Sequence, residues 1–307
     1  MNLEAPMSIA GLVVGFMVGL TGMGGGALMT PILVLLFRID PLAAVSSDLV
    51  ASFVMKPVGA GVHYRRGTVN LHLVRWLAIG SVPSAFAGVL LLDALGADEV
   101  QSRLKTMLGV VLIAAAAAMV VKGLIRRPEI GDPGAFEIRR LPTILVGAVG
   151  GVIVGMTSVG AGSLIIVMLM LIYPTISSSE LVGTDLVQAI PLVGAASLGH
   201  IFFGDLRMGL TASLLFGCVP GAYLGARVSS RAPDHVIRPV LIVVLAASAL
   251  KLLGVGTTIV LCAAGIAAIG AAINGRRHAS RSRSSTSTDV ITSPTAVESA
   301  TSIPETT

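Results

Sequence analysis

Two short stretches hold most of the residues able to do chemistry: GLTGMGGGAL at 19–28 and GMTSVGAGSL at 155–164. The first offers Thr21, Gly22, Gly24, Gly25 and Gly26. The second offers Thr157, Ser158, Gly160, Ala161, Gly162 and Ser163. Both lie within long apolar runs, where serial glycines break a helix and strip backbone N–H groups of their partners. A half-helix that restarts after such a break, near Ala27 or near Ser163, turns its positive end toward the apolar zone. That arrangement favours an anion. Thr21, Thr157, Ser158 and Ser163 would add hydroxyl donors. The competing reading is packing alone, because glycine also lets membrane helices approach closely without binding anything.

A few polar residues sit in otherwise apolar segments. Asp48 and Asp185 each lie early in such a segment, as a helix cap or as a gating or proton-coupling group. Lys56 lies about eight residues into its helix, where an unpaired ammonium is costly. It neutralises an anion, pairs with Asp48 two turns away, or snorkels to an interface. Gln188 follows Asp185 by one turn and is a candidate cavity-lining residue. His63 and His200, at matched helix ends, are candidates for proton relay or for interfacial packing. Pro57, Pro83, Pro191 and Pro220 kink helices and free carbonyls.

These residues must be positioned by membrane helices. Of the 307 residues, 54% are hydrophobic and only 12% charged, and the mean hydropathy is +0.91. Apolar runs of helix length recur from residue 8 to residue 273. A soluble core cannot hide that much apolar surface, so the expected class is an all-α polytopic membrane protein. The net charge of +5 sits in short loops and the tail, as a cytoplasmic membrane face selects, and not in a nucleic-acid patch. The N-terminus lacks the basic start of a cleaved signal, so the first apolar segment is expected to stay. Cys218 and Cys262 form neither a disulfide framework nor a metal cluster. No HExxH, CxxC or Ser/His/Asp grouping is present. Gly22-x-Gly24-x-x-Ala27 resembles a dinucleotide fingerprint but lacks the strand–turn–helix context. No catalytic residue, cofactor or metal is therefore expected.

The chain repeats itself. The two glycine blocks align at an offset of 136, with Gly19, Thr21, Gly24, Gly26 and Leu28 over Gly155, Thr157, Gly160, Gly162 and Leu164. SSDLV at 46–50 aligns with GTDLV at 183–187 at an offset of 137, and His63 falls on His200. GSVPSAFAG at 80–88 then aligns with GCVPGAYLG at 217–225. Three blocks at a near-constant offset mark an internal duplication. The expected organisation is a first transmembrane repeat over 1–121, a cytoplasmic linker at 122–140 and a second repeat over 141–253. One extra transmembrane helix at 254–273 and a disordered cytoplasmic tail at 274–307 follow.

Charge placement decides how the broken segments run. Nineteen of the 21 Lys and Arg lie outside the helices. If residues 8–38 and 142–173 each crossed once, the two sides would hold nine and ten. If each is a re-entrant hairpin, the sides hold 15 and four, the four being Arg38, Arg103, Lys105 and Arg207. The positive-inside rule selects the hairpins, with the N-terminus outside and the C-terminus cytoplasmic. Residues 8–20 and 27–38, about a dozen each, would each span roughly half a bilayer. The fold is then an inverted repeat, each half a re-entrant broken-helix hairpin plus three transmembrane helices, with seven full crossings in all. Inverted repeats with broken helices are a transporter architecture.

GFMVGLTGMGGGALMTPIL at 15–33, its echo GVIVGMTSVGAGSLIIV at 151–167, and the paired GTDLV-like and GxVPxxxxG blocks resemble the TauE/SafE sulfite exporter family, also called sulfonate uptake permeases. The resemblance covers about residues 8–253. It implies a multi-pass carrier in the inner (cytoplasmic) membrane for small sulfur-containing anions such as sulfite, thiosulfate or organosulfonates. Matching residues are the two glycine blocks with Asp48 and Asp185; Ser158 and Ala161 replace the glycines expected from the first block. Expected partners are the anion, a proton or sodium as coupling ion, and the bilayer, with a homodimer left open and no nucleic acid. The rival classes are an anion channel and a membrane-embedded assembly subunit or enzyme.

Overall fold

A computed structural model of the chain describes residues 4–21, 25–124, 137–228 and 234–260. Apolar runs in this chain become helices because only a helix satisfies every backbone polar group within its own segment. The broken first segment gives α1 (Glu4–Thr21) and α2 (Gly26–Leu35), followed by α3 (Pro41–Arg65), α4 (Leu71–Asp93) and α5 (Ala97–Leu124). The second half repeats the order with α6 (Arg140–Thr157), α7 (Leu164–Ile172), α8 (Ser178–Phe203), α9 (Met208–Val228) and α10 (Asp234–Leu252). No strand occurs among the described residues. Six helical segments, in α3, α4, α5, α6, α8 and α9, are long and apolar enough to cross a membrane. The protein is an all-α polytopic membrane protein.

Local chemistry sets the helix starts. Pro41 opens α3, where its missing N–H costs nothing. Asn70 caps α4, its side chain accepting the Leu73 N–H at 3.1 Å. Ser177 caps α8 by accepting the Glu180 N–H at 3.1 Å. The break after α6 has a different cause. Ser158 ends the helix in the left-handed region at φ 59°, and Gly160 and Gly162 follow at φ 119° and 97°. Glycine takes such angles without the strain a side chain brings.

Both broken segments double back. The Tyr173 hydroxyl, just past α7, accepts the Arg139 N–H at 2.9 Å and lies 2.6 Å from Thr143 Oγ1, so the end of α7 meets the start of α6. In the first half, Ser8 near the start of α1 donates to the Ser213 carbonyl at 2.8 Å. Asp40, just past α2, pairs with Arg207 at 2.6 Å. Both ends of the α1–α2 hairpin therefore lie beside the start of α9.

The arms are unequal, which corrects the expected pair of dozen-residue halves. α1 and α6 have 18 residues each, while α2 has 10 and α7 has nine. At 1.5 Å per residue the long arms reach about 27 Å, close to a whole bilayer core. They are long because each lies along a full-length helix of the other half. Gly11 and Gly15 of α1 touch backbone of α9 at 214–218, and Gly217, Gly221 and Gly225 of α9 touch α1 at 8–20. The same parallel seam joins α6 to α4, where Gly147, Gly151 and Gly155 meet residues 77–85. Small residues there let the backbones touch, which replaces the hydrophobic drive missing between helices in lipid.

The matched helices α3 and α8 run in opposite directions. Ser46 near the start of α3 lies 2.9 Å from His200 near the end of α8. Past the end of α3, the Asn70 N–H donates to Thr184 near the start of α8 at 3.0 Å. Of the expected seven crossings, the extra segment is described only as far as residue 260. The rest of it, the tail at 274–307 and linker residues 125–136 lie outside the described residues.

Candidate functional site

The tips of the two hairpins meet in the interior. A Cβ at Gly26, the first residue of α2, would overlap the carbonyl of Ser158 at the end of α6. Around this junction the structure gathers Gly25, Gly26, Ser158, Gly162, Asp48, Lys56 and Asp185 from both halves. Gly22 and Gly24 lie outside the described residues, and Thr21 is the last residue of α1.

Asp48, 1% exposed, lies a third of the way along α3 and accepts three hydroxyl hydrogen bonds. Thr30 of α2 and Ser158 donate to Oδ2 at 2.9 and 2.8 Å, and Ser52 donates to Oδ1 at 3.4 Å. Asp185, also 1% exposed, faces the Gly162 N–H just ahead of α7, while its Oδ1 has no partner. α3 begins at Pro41 and α8 at Ser178, well before either aspartate. The expectation that they cap their own helices is thereby corrected. Their carboxylates stand instead at the N-terminal ends of α2 and α7: a Cβ at Gly25, just before α2, would lie 3.5 Å from Asp48 Oδ1. These positive ends had been expected to face a free anion. A carboxylate placed there gains from the helix dipole in the same way.

Lys56 is 5% exposed, buried inside the bundle instead of snorkelling. Its ammonium lies within electrostatic reach of both carboxylates, Asp185 and Asp48. No ion pair within 4.0 Å engages it among the described residues. One turn beyond Asp185, Gln188 is fully buried; its Nε2 donates to Ser81 of α4 at 2.6 Å and its Oε1 has no partner. Ser163 Oγ, at the start of α7, is likewise buried and unpartnered.

The remaining expected residues lie further out or serve the backbone. Thr157 Oγ1 donates to the Ile153 carbonyl at 2.6 Å and accepts the Val159 N–H at 3.2 Å, which closes the end of α6. Ala161 is buried within the second tip. The histidines are not alike. His200 is fully buried, with Nδ1 2.9 Å from Ser46 Oγ and Nε2 2.8 Å from the Gly155 carbonyl, so it ties α8 to α3 and α6. His63 is partly exposed and bonds Thr68 at 3.0 Å just past its own helix. A groove of about 610 Å³ lined by His72, Trp76, Glu137, Ile138 and Arg140 lies at the starts of α4 and α6, away from the tips.

Sequence reasoning missed Thr30, Ser52 and Ser81. Ser52 had a readable signal, one turn after Asp48 on the same helix face. Thr30 and Ser81 had none, since lone hydroxyls in apolar helices are common and their partners lie on other helices.

A multi-pass helical membrane protein whose broken helices meet at a buried charged centre is the class that the fold and the site define. Comparison with known proteins narrows it. The family model described as sulfite exporter TauE/SafE matches residues 7–252, and the chain belongs to that family of membrane transporters. It is 38% identical over 250 residues to a probable membrane transporter protein, YjnA, of Bacillus subtilis, covering 80% of this chain and 98% of that one. It is 25% identical to a second such protein of that organism, YdhB, over 80% of this chain and 97% of the other. A probable membrane transporter protein of Methanocaldococcus jannaschii is 26% identical, over 74% and 87%. No solved structure matches the chain.

Proposed function

We propose that the protein is a secondary carrier of small sulfur-containing anions, such as sulfite, thiosulfate or an organosulfonate, working by alternating access. The observation that supports this most is Lys56, a buried cation beside two broken-helix tips. A fixed cation, the Gly162 N–H and the Ser163 hydroxyl together offer an anionic group charge and hydrogen bonds in a dry setting. The antiparallel course of α3 and α8, and the reciprocal α1–α9 and α4–α6 seams, support an inverted duplication able to pack in two related states. Asp48 and Asp185 are the candidate coupling or gating groups, and His200, which bonds to α3 and α6, is a further candidate. The positive-inside count supports a cytoplasmic linker and an outward N-terminus.

Purified protein in proteoliposomes, given sulfite, thiosulfate, sulfate, sulfoacetate and taurine in turn under imposed proton and sodium gradients, tests the reading. Saturable, gradient-dependent counterflow of at least one sulfur anion is expected. Open-channel currents would replace the carrier with a pore, and no movement of any anion under any gradient ends the transport assignment.

A further inference from the structure

The duplication made two copies of an aspartate beside a broken-helix tip, and the surroundings of the two copies differ. Three hydroxyls saturate Asp48: Thr30, Ser52 and Ser158. At the matched positions around Asp185 the chain has Ile166, Ala189 and Gly22, none of which can donate from a side chain. Asp185 Oδ1 is accordingly left bare, and two more buried oxygens nearby, Gln188 Oε1 and Ser163 Oγ, have no partner either. Buried acceptors without donors are costly and call for a ligand that supplies a hydrogen or a positive charge.

Charge balance points the same way. Asp48, Asp185 and Lys56 together carry one net negative charge in the interior. Adding a singly charged anion would make two and a doubly charged one three, so the buried centre needs at least one positive charge before an anion is accommodated. Charged groups also face Asp185 from the packed helices: Lys56 on α3, which Asp48 faces as well, and Lys122 at the end of α5. With a lysine already present, a metal ion would face repulsion and would lack the fuller oxygen shell such ions take. A proton needs one bare oxygen.

We propose that Asp185 is the proton-loading residue of the carrier, and that Asp48 stays ionised as the latch between the hairpins. Protonating Asp185 on Oδ1 turns a bare acceptor into a donor and removes its charge. That leaves the charge of Lys56 offset by Asp48 alone and weakens the pull of Asp185 on the Gly162 N–H, so an incoming anion competes for both, and proton and anion bind together and travel in the same direction. Deprotonation restores the negative charge of Asp185 and expels the anion. Asp48 is the poorer proton acceptor, because a proton on either of its oxygens competes with a hydroxyl that already donates there.

This inference rests on the anion-carrier reading, and the test separates the two. Thiosulfate and sulfoacetate are the probes, because their charge barely changes across the neutral range. In wild-type proteoliposomes an inward proton gradient should drive accumulation of the transported probe, and ligand-induced thermal stabilisation should strengthen on acidification. Asp185→Asn, which imitates the protonated state, should keep slowed exchange that no longer varies with pH, lose accumulation under a proton gradient at least tenfold, and still unfold cooperatively in detergent. Asp185→Glu should restore part of the proton-driven accumulation. Asp48→Asn should lower the melting temperature more than Asp185→Asn does. Proton-driven accumulation that survives in Asp185→Asn, or accumulation driven by sodium and indifferent to pH, overturns the inference while leaving the carrier reading intact. A wild type that moves no sulfur anion overturns the carrier reading instead.

Discussion

Gly26→Ala adds one carbon at the point where the hairpins touch. The new Cβ would overlap the Ser158 carbonyl oxygen and lie 2.7 Å from Ser158 Oγ. The obstacle is backbone, so no rotamer change clears it, and the tips must part by more than about an ångström to reach ordinary contact distance. Asp48 on α3 accepts Ser158 from one tip at 2.8 Å and Thr30 from the other at 2.9 Å, so whichever tip yields by that much, one of these bonds passes beyond hydrogen-bond range. Overpacking costs about 1–3 kcal/mol, and losing a hydrogen bond to a buried carboxylate adds about 1.5–3 kcal/mol. The variant should therefore unfold at a clearly lower temperature in detergent and lose most anion exchange in proteoliposomes. Gly59→Ala and Gly61→Ala are matched controls, since a Cβ at either meets nothing within 4 Å. Both lie within α3, where alanine favours the helix by about 1 kcal/mol, so neither should lower the melting temperature. Wild-type melting and exchange in Gly26→Ala would refute the argument that the tips meet here and that their contact is needed.

Three further outcomes follow from the same geometry. Lys56→Met leaves two buried carboxylates without a counter-charge and should cost about 3–5 kcal/mol; the double variant Lys56→Met/Asp185→Asn should recover part of that loss in a thermal melt. Gly151→Leu should drive α6 from α4, because a Cβ there already overlaps Ser81 and Ser84, and should abolish a stable detergent-purified fold, whereas Gly209→Leu, in open space, should not. Single cysteines at Arg38 and Arg207 should react with an impermeant thiol reagent from one side of the membrane and cysteines at Arg65 and Arg227 from the other; labelling of Arg38 and Arg65 positions from the same side would refute the hairpin topology.

Much of the backbone was legible before any coordinates. Gly160 and Gly162 announced the break after α6, and the restart of α2 at Gly26 and of α7 at Leu164 lies within one residue of the expected places. Helical boundaries elsewhere were blurred because apolar residues run past the polar ends: α3 begins at Pro41, so Asp48 is interior and not terminal. The unequal arms were hidden for a different reason. α1 extends to Glu4 because α9 runs beside it, and no local signal in residues 4–21 reports a partner two hundred residues away. The polar network was the least legible part. Asp48 could be singled out by its type, but its donors Thr30 and Ser158 come from two other segments, and only folding shows that they converge.

The divergence between the halves carries more information about the site than their likeness. Tip and seam glycines, the Pro83 and Pro220 pair and both aspartates are duplicated because the backbone needs them twice: two tips, two seams and two helix starts that each hold a carboxylate. The hydroxyls and the lysine are not duplicated. Lys56 is matched by Val193, and Thr30, Ser52 and Ser158 are matched by Ile166, Ala189 and Gly22. Twin carboxylates in equal surroundings would compete equally for the lysine and for any proton. Saturating one of them fixes which stays charged, and leaves the other free to change state. An inverted duplication can keep the backbone symmetry that two packings require, and still confine charge changes to one residue, only if side chains around the copies diverge in this way. Filling the gaps with Ile166→Thr and Ala189→Ser should therefore make Asp185 resemble Asp48, raising the melting temperature while weakening the response of exchange to pH. An unaltered pH response in a variant that folds would show that these hydroxyls do not set the difference.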